Sequence, residues 1–201
     1  MTNKEFLTSM ITMIKNLDYI KPDAIPNIDL YMDQVTTFMD ANLEHSKRYE
    51  EDKILTKTMI NNYAKNNLLP PPVKKKYSKE HILLLIFIYY LKSILSISDI
   101  QTLLKPLTDT YFSKEEGLTL EEIYQEVFSL EKEQVISLEK DVMKKFERSK
   151  ELFSEIEEEN REFLQTFSFI CMLSFDVYMK KQMIEKMLDE WKPENDKKKK
   201  R

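Results

Sequence analysis

TKTMINNYAKNNLLPPPVKKKYSKEHILLLIFIYYLKSILSISDIQTLL, Thr56 to Leu104, decides the fold. Thr56 is placed to cap a short helix over Lys57–Asn66, with Met59, Ile60 and Tyr63 on one side of it. Asn66-Asn67 predicts its end, since asparagine is the best substitute for glycine in the left-handed conformation. Pro70-Pro71-Pro72 forbids helix and sheet interior alike and stiffens the chain before Lys74-Lys75-Lys76-Tyr77. Ser78 then caps an apolar helix to about Ser93, and Ser96 with Asp99 opens another that is expected to stop before Pro106.

Charge singles out the same stretch. Residues 53–105 carry nine lysines against two acids, a net of +7, whereas residues 1–52 are at −5 and residues 106–201 at −6. A basic island in an acidic chain points to a local polyanion surface rather than a generally adhesive protein.

Working outward, Thr2 with Glu5 forms a capping box for a first helix carrying Phe6, Met10, Met13, Ile14 and Leu17. Pro22 and Pro26 mark a loop, and Asp29 is placed to cap a second helix with Leu30, Val35, Phe38 and Met39. Glu44–Lys53 reads as an exposed connection. Beyond Gly117, Thr119 and Glu122 form another capping box, and Val135, Leu138, Val142 and Phe146 make one apolar stripe. Phe163 to Leu188 is apolar on several faces and requires cover from a hairpin partner or a second chain. Whether 119–192 is one long helix or a hairpin is open at this level. Phe163, Phe167, Phe169, Phe175, Tyr178 and Trp191 read as core rather than a ligand box.

One glycine in 201 residues argues against turn-rich sheets, so the fold class is all-α with at most a small wing turn. The lone Cys171 cannot form an internal disulfide and, inside FSFICMLSF, reads as a buried thiol. The N-terminus lacks the pattern of a signal peptide, and the longest apolar run, Ile82–Leu91, is too short to span a bilayer. A soluble, cytoplasmic protein with no membrane partner is expected.

On a helical wheel, Lys57, Thr58, Asn61, Asn62 and Lys65 share the face opposite Ile60 and Tyr63. Two amides, a hydroxyl and two lysines suit a major groove, since asparagine pairs bidentately with adenine and lysine reaches bases or phosphates. No Asp or Glu occurs from Lys53 to Lys79. Lys74, Lys75 and Lys76 on a stiff turn would neutralise phosphates, and Tyr77 either packs on the helix or donates to a phosphate.

The order of short helix, Leu68-Leu69-Pro70, basic turn, Tyr77-Ser78, long helix and Ile100-x-x-Leu103-Leu104 resembles the MerR-type winged helix-turn-helix. The same text is similar, more closely still, to an uncharacterised bacterial family of unknown function that carries this motif. The MerR-type resemblance covers about residues 30–105. It implies a winged helix-turn-helix, double-stranded DNA as partner, and dimerisation through a long helix that follows. On this alignment Tyr63 matches a helix tyrosine, while Asn61 stands where the family carries a phosphate-gripping arginine. Asn62 stands for a tyrosine and Asn67 for a glycine, and the wing is shortened to a few lysines.

The implied organisation is an N-terminal helix and loop (1–28), a MerR-like helix-turn-helix domain (29–108), a helical dimerisation or regulatory region (109–192) and a disordered basic tail (193–201). His45 and His81 lack nucleophile or ligand companions, no Glu-x-x-His motif exists, and a single glycine rules out a glycine-rich phosphate loop. No enzyme, cofactor or metal site is therefore expected, and no effector is identifiable. The expected function is a dimeric DNA-binding transcriptional regulator whose protomers join through the C-terminal helices. The lost arginine and acidic flanks favour an alternative, a helical protein-interaction adaptor without DNA binding. A small-molecule-binding domain with DNA output is a third reading.

Overall fold

The computed structural model describes residues 3–15, 19–114 and 116–192. Among these residues the chain forms α1 (Asn3–Lys15), β1 (Leu30–Tyr31), α2 (Met32–Leu43), α3 (Lys57–Lys65), β2 (Lys76–Tyr77), α4 (Lys79–Leu91), α5 (Ile97–Tyr111), α6 (Leu120–Ser129), α7 (Glu131–Lys150) and α8 (Glu158–Trp191). The chain divides into two compact units, Met1–Asn16 with Leu130–Met187, and Leu17–Ser129 with Leu188–Arg201. These limits differ from the divisions read along the sequence. Thr2, Leu17 and the tail 193–201 lie outside the described residues.

The larger unit is organised around α4. Its residues from His81 to Ile86, and Ile88, are buried on every face of the helix. Such a helix needs neighbours all round, and β2, α5 and α6 supply them. At about 1.5–3 kcal/mol for each fully buried aliphatic side chain, α4 is the centre of this unit's stability. Val35, Met39 and Leu43 of α2 and Ile60 and Tyr63 of α3 join the same core. Tyr124 of α6 is fully buried, donates its hydroxyl to the Ile20 carbonyl at 2.6 Å, and packs on Tyr19, Phe87 and Phe128.

Helix starts follow the expected caps. Thr56 Oγ1 accepts the Met59 N–H at 3.2 Å, and Ser96 Oγ accepts the Asp99 N–H at 3.2 Å. Thr119 and Glu122 satisfy one another reciprocally, at 2.8 Å and 3.2 Å. The Thr119 backbone and hydroxyl donors hold the Glu122 carboxyl below its usual range.

Three expectations are corrected. Asp29 does not cap α2: its cap is Tyr31, whose N–H donates to Gln34 Oε1 at 2.8 Å. The chain spends Leu30–Tyr31 instead on an antiparallel ribbon with Lys76–Tyr77, so what was expected as at most a turn is a small two-stranded sheet. Helix α5 runs through Pro106 to Tyr111. Proline there forfeits a backbone bond, at a cost of about 3 kcal/mol. Leu103, Leu104, Leu107 and Tyr111 lie on one core either side of it, so packing overrides the local breaker.

The smaller unit contains α1, α7 and most of α8, and 119–192 is thus three helices, with α7 and α8 as an antiparallel hairpin. Gln165 closes the hairpin by donating to the carbonyls of Lys150 (2.8 Å) and Leu152 (2.9 Å). Lys145 bridges Asp141 of its own helix and Asp176 of α8. The buried core is Leu7, Val142, Phe146 and Phe169, flanked by Met10, Ile11, Met172 and Leu173. The buried face of α1 is thus turned from the one expected, with Leu7 inside and Phe6 and Met13 outside. Cys171 is only half-buried. Of the aromatics expected in a core, Phe169 alone is buried; Phe163, Phe167, Phe175, Tyr178 and Trp191 are 54–68 % exposed. A single hairpin covers one side of α8, and its other sides face outward. No helix among the described residues is long and apolar enough to cross a membrane.

Candidate nucleic-acid interface

Helix α3 has two opposed faces because its apolar residues recur at helical spacing. Ile60 and Tyr63 are buried, and Leu68 and Leu69 seal the end. Asn67 adopts φ +54°, and the Leu68 N–H returns to the Tyr63 carbonyl at 2.9 Å, which is the bond pattern of a left-handed helix stop. Lys57, Thr58, Asn61, Asn62 and Lys65 all lie exposed on the remaining face. The side-chain amides of Asn61 and Asn62 have no hydrogen-bond partner among the described residues, so their donors and acceptors are available to a ligand.

The basic turn is a tight hairpin. The Lys76 N–H donates to the Val73 carbonyl at 2.9 Å, and the Val73 N–H to the Lys76 carbonyl at 3.1 Å. Lys74 and Lys75 between them have φ +49° and +65°. Two consecutive positive φ angles form the type I′ pattern that Asn-Gly ordinarily fills. Non-glycine residues in this conformation cost about 1–2 kcal/mol each. The turn accepts that strain and carries two exposed ammonium groups at its tip, neither with a carboxylate partner among the described residues. Lys76 is half-buried in β2, its ammonium 5.3 Å from the Tyr31 ring centre.

Tyr77 leaves the candidate set. It is 3 % exposed, its ring meets His81 edge-on, and burial pushes its phenol above the ordinary value. Of the two roles read for it, packing is the one the fold uses.

The start of α2 joins helix face and hairpin. Asp33 in its first turn pairs with Lys57, and Tyr31 two residues earlier carries Lys76. Two residues span at most about 7 Å, so the first turn of α3 and the flank of the hairpin converge on this short segment. The acid-free window of sequence is therefore not acid-free in space, because Asp33 enters it from α2. Three more of the island's lysines are engaged elsewhere. Lys79 pairs with Glu121 and Lys105 with Asp109. Lys92 donates to the Ile54 carbonyl at 2.9 Å, and burial lowers its pKa. The net charge of the segment overstates what reaches the surface; among the described residues the exposed Lys53, Lys65, Lys74 and Lys75 have no ion-pair partner, and half-buried Lys76 has only the Tyr31 ring.

His81, structural or solvent-facing on its sequence, is buried to 2 % exposure between Tyr77 and Phe112. Its Nδ1 accepts the Ser78 N–H at 3.0 Å, closing the cap of α4. Burial lowers its pKa, against opposing contributions from the Pro71 carbonyl, Glu80, the Pro70 carbonyl and Asp29. The spacing Ser78-x-x-His81 was the available signal, with histidine standing where a capping box has Glu or Gln.

Among the described residues no group of His, Cys, Asp or Glu is arranged to hold a metal ion. No curated protein and no solved structure matches the chain. A family model described as a domain of unknown function, DUF1836, matches residues 20–127, and those residues include α2 to α5, the hairpin and most of α6. The match covers more than half of the chain, which belongs to the DUF1836 family.

Proposed function

We propose that the protein is a DNA-binding transcriptional regulator of MerR-like type, acting as a dimer. The observation that carries this reading is the exposed face of α3, where Lys57, Thr58, Asn61, Asn62 and Lys65 present amides, a hydroxyl and ammonium groups opposite a fully packed side. Asn61 and Asn62 would read base edges in a major groove. Lys74 and Lys75 on the hairpin tip would hold flanking phosphates, contributing affinity without sequence information. The strain at those two lysines supports the reading, since strained backbone collects at functional sites. Dimerisation would use α8, whose Phe163, Phe167, Phe175, Met179, Met183, Met187 and Trp191 recur at multiples of four residues and stand exposed. Two-fold symmetry then gives an inverted-repeat operator.

The second reading, a helical adaptor without DNA binding, is favoured by Asp33 on the rim of the candidate face and by the same methionine-rich helix. Selection of bound duplexes from a random pool by the full chain separates the two. Enrichment of an inverted repeat supports the regulator. A pool that remains unenriched at low salt, with the chain dimeric, supports the adaptor.

A further inference from the structure

A cleft of about 260 Å³ lies where the hairpin, the start of α4 and the end of α5 meet. Pro71, Val73 and Phe112 form its apolar walls, and Asp29, Glu80, Lys76 and Lys114 bring two carboxylates and two ammonium groups to it. None of these four charges has an ion-pair partner among the described residues. The lysines rest over tyrosine rings, Lys76 over Tyr31 and Lys114 over Tyr111. Opposite charges gathered around one space and left unpaired leave room for a ligand bearing both signs.

His81 supplies the second, independent observation. Because Nδ1 accepts the Ser78 N–H, the neutral ring carries its proton on Nε2. Nε2 is buried and has no hydrogen-bond partner among the described residues. The Pro71 and Pro70 carbonyls influence the ring, yet neither meets hydrogen-bond geometry with it. A buried donor without an acceptor is costly, and such groups in a folded protein call for an explanation. Here the ring lines the cleft, so an acceptor brought by a ligand removes the cost.

We propose that this cleft binds a small zwitterion of the α-amino-acid class, its carboxylate taken by His81 Nε2–H with Lys76 and Lys114, and its ammonium by Asp29 and Glu80. The volume falls below the range of drug-sized pockets, roughly 300–1,000 Å³, and suits a ligand of this size. Each of its two charges meets a pair of opposite sign, and the occupied cleft is neutral overall. This site is separate from the exposed face of α3 and stands whether or not the protein binds DNA.

The test uses the full chain without DNA. His45 and His81 are the only histidines, and His45 is exposed, so imidazole ¹H–¹⁵N spectra give a reporter and a built-in control. The probes are the free proteinogenic L-amino acids, with L-alanine methyl ester and N-acetyl-L-alanine representing loss of either charge. A saturable shift of His81 Nε2 by at least one free amino acid is expected, with His45 unmoved and both blocked forms at least tenfold weaker. Glu80→Gln and Lys114→Met, at positions outside the packed core, are each expected to weaken binding about tenfold. No His81 response to any free amino acid at about 10 mM would overturn the proposal, and so would equal binding of either blocked form. Because His81 closes the cap of α4 with Ser78, the two surface variants keep the test independent of whether His81 substitutions fold.

Discussion

The two units of this chain bury very different amounts of themselves. In the larger, twenty-five apolar side chains share one core among the described residues, enough to wrap α4 completely. In the smaller, four do so, although α7 and α8 are the longest helices present. Ordering a residue costs about 1–2 kcal/mol in backbone entropy, and four buried side chains offset little of that. Meanwhile, α8 leaves phenylalanines, methionines and a tryptophan in water. Large exposed apolar surfaces on a soluble protein mark interaction sites. One unit is therefore complete as a single chain and carries the polar candidate sites, and the other has surface still to bury.

The largest expected effect would break this contrast if it failed. Leu84→Ala in fully buried α4 should cost about 2–5 kcal/mol in urea unfolding followed by circular dichroism. Phe167→Ala on α8 should cost the isolated protomer under about 0.5 kcal/mol. Equal losses would place a covered core where the structure shows an open face. Sedimentation measures the next effect. Phe163→Ser with Phe167→Ser should weaken self-association about a hundredfold, roughly 2.7 kcal/mol. A wild-type chain that stays monomeric at tens of micromolar would assign the face to another partner.

The hairpin sharpens the comparison within the larger unit. Replacing Lys74 by Asn and Lys75 by Gly fits the turn's positive φ angles, so stability should rise by about 1–2 kcal/mol. DNA affinity should fall in the same variant, with the slope of log affinity against log salt shallower by about 2. Stability and binding moving together would refute a turn strained for function.

The smallest effect is on pH. Burial lowers the folded pKa of His81 below the unfolded value of 6.5. Stability from this group is complete above pH 6.5 and falls as the pH drops below it towards the folded value, because only the unfolded chain takes up the proton. The slope reaches at most about 1.4 kcal/mol per pH unit. The check is the difference between wild type and His81→Gln at pH 7.5 and 5.5, which cancels what every other group contributes. An identical pH dependence in the two would show that His81 is not the titrating group.

What was legible in the sequence was local. Thr56, Ser78, Ser96 and Thr119 announced helix starts because a cap involves neighbours three residues away, and Asn67 announced a stop because one residue's φ decides it. The polar face of α3 followed from spacing alone. The run through Pro106 was not legible, because only packing from distant residues outweighs a proline. Nor was the exposure of α8: an all-round apolar helix states that it needs cover and not whether its own chain supplies it. The Asp33–Lys57 pair joins residues far apart in sequence, so a charge window could not include it.

The exposed face of α3 and the lysine hairpin are proposed together as one DNA interface. The most direct test is fluorescence anisotropy of the full chain against a duplex selected from a random pool, titrated with salt, for wild type, Asn61→Ala and Lys75→Ala. Lys75→Ala should weaken binding to all sequences alike and lower the salt slope by about 1. Asn61→Ala should reduce discrimination at one base position by about 1–3 kcal/mol and leave the slope unchanged. Binding that ignores both substitutions, or no binding at low salt by a correctly folded dimer, would contradict it.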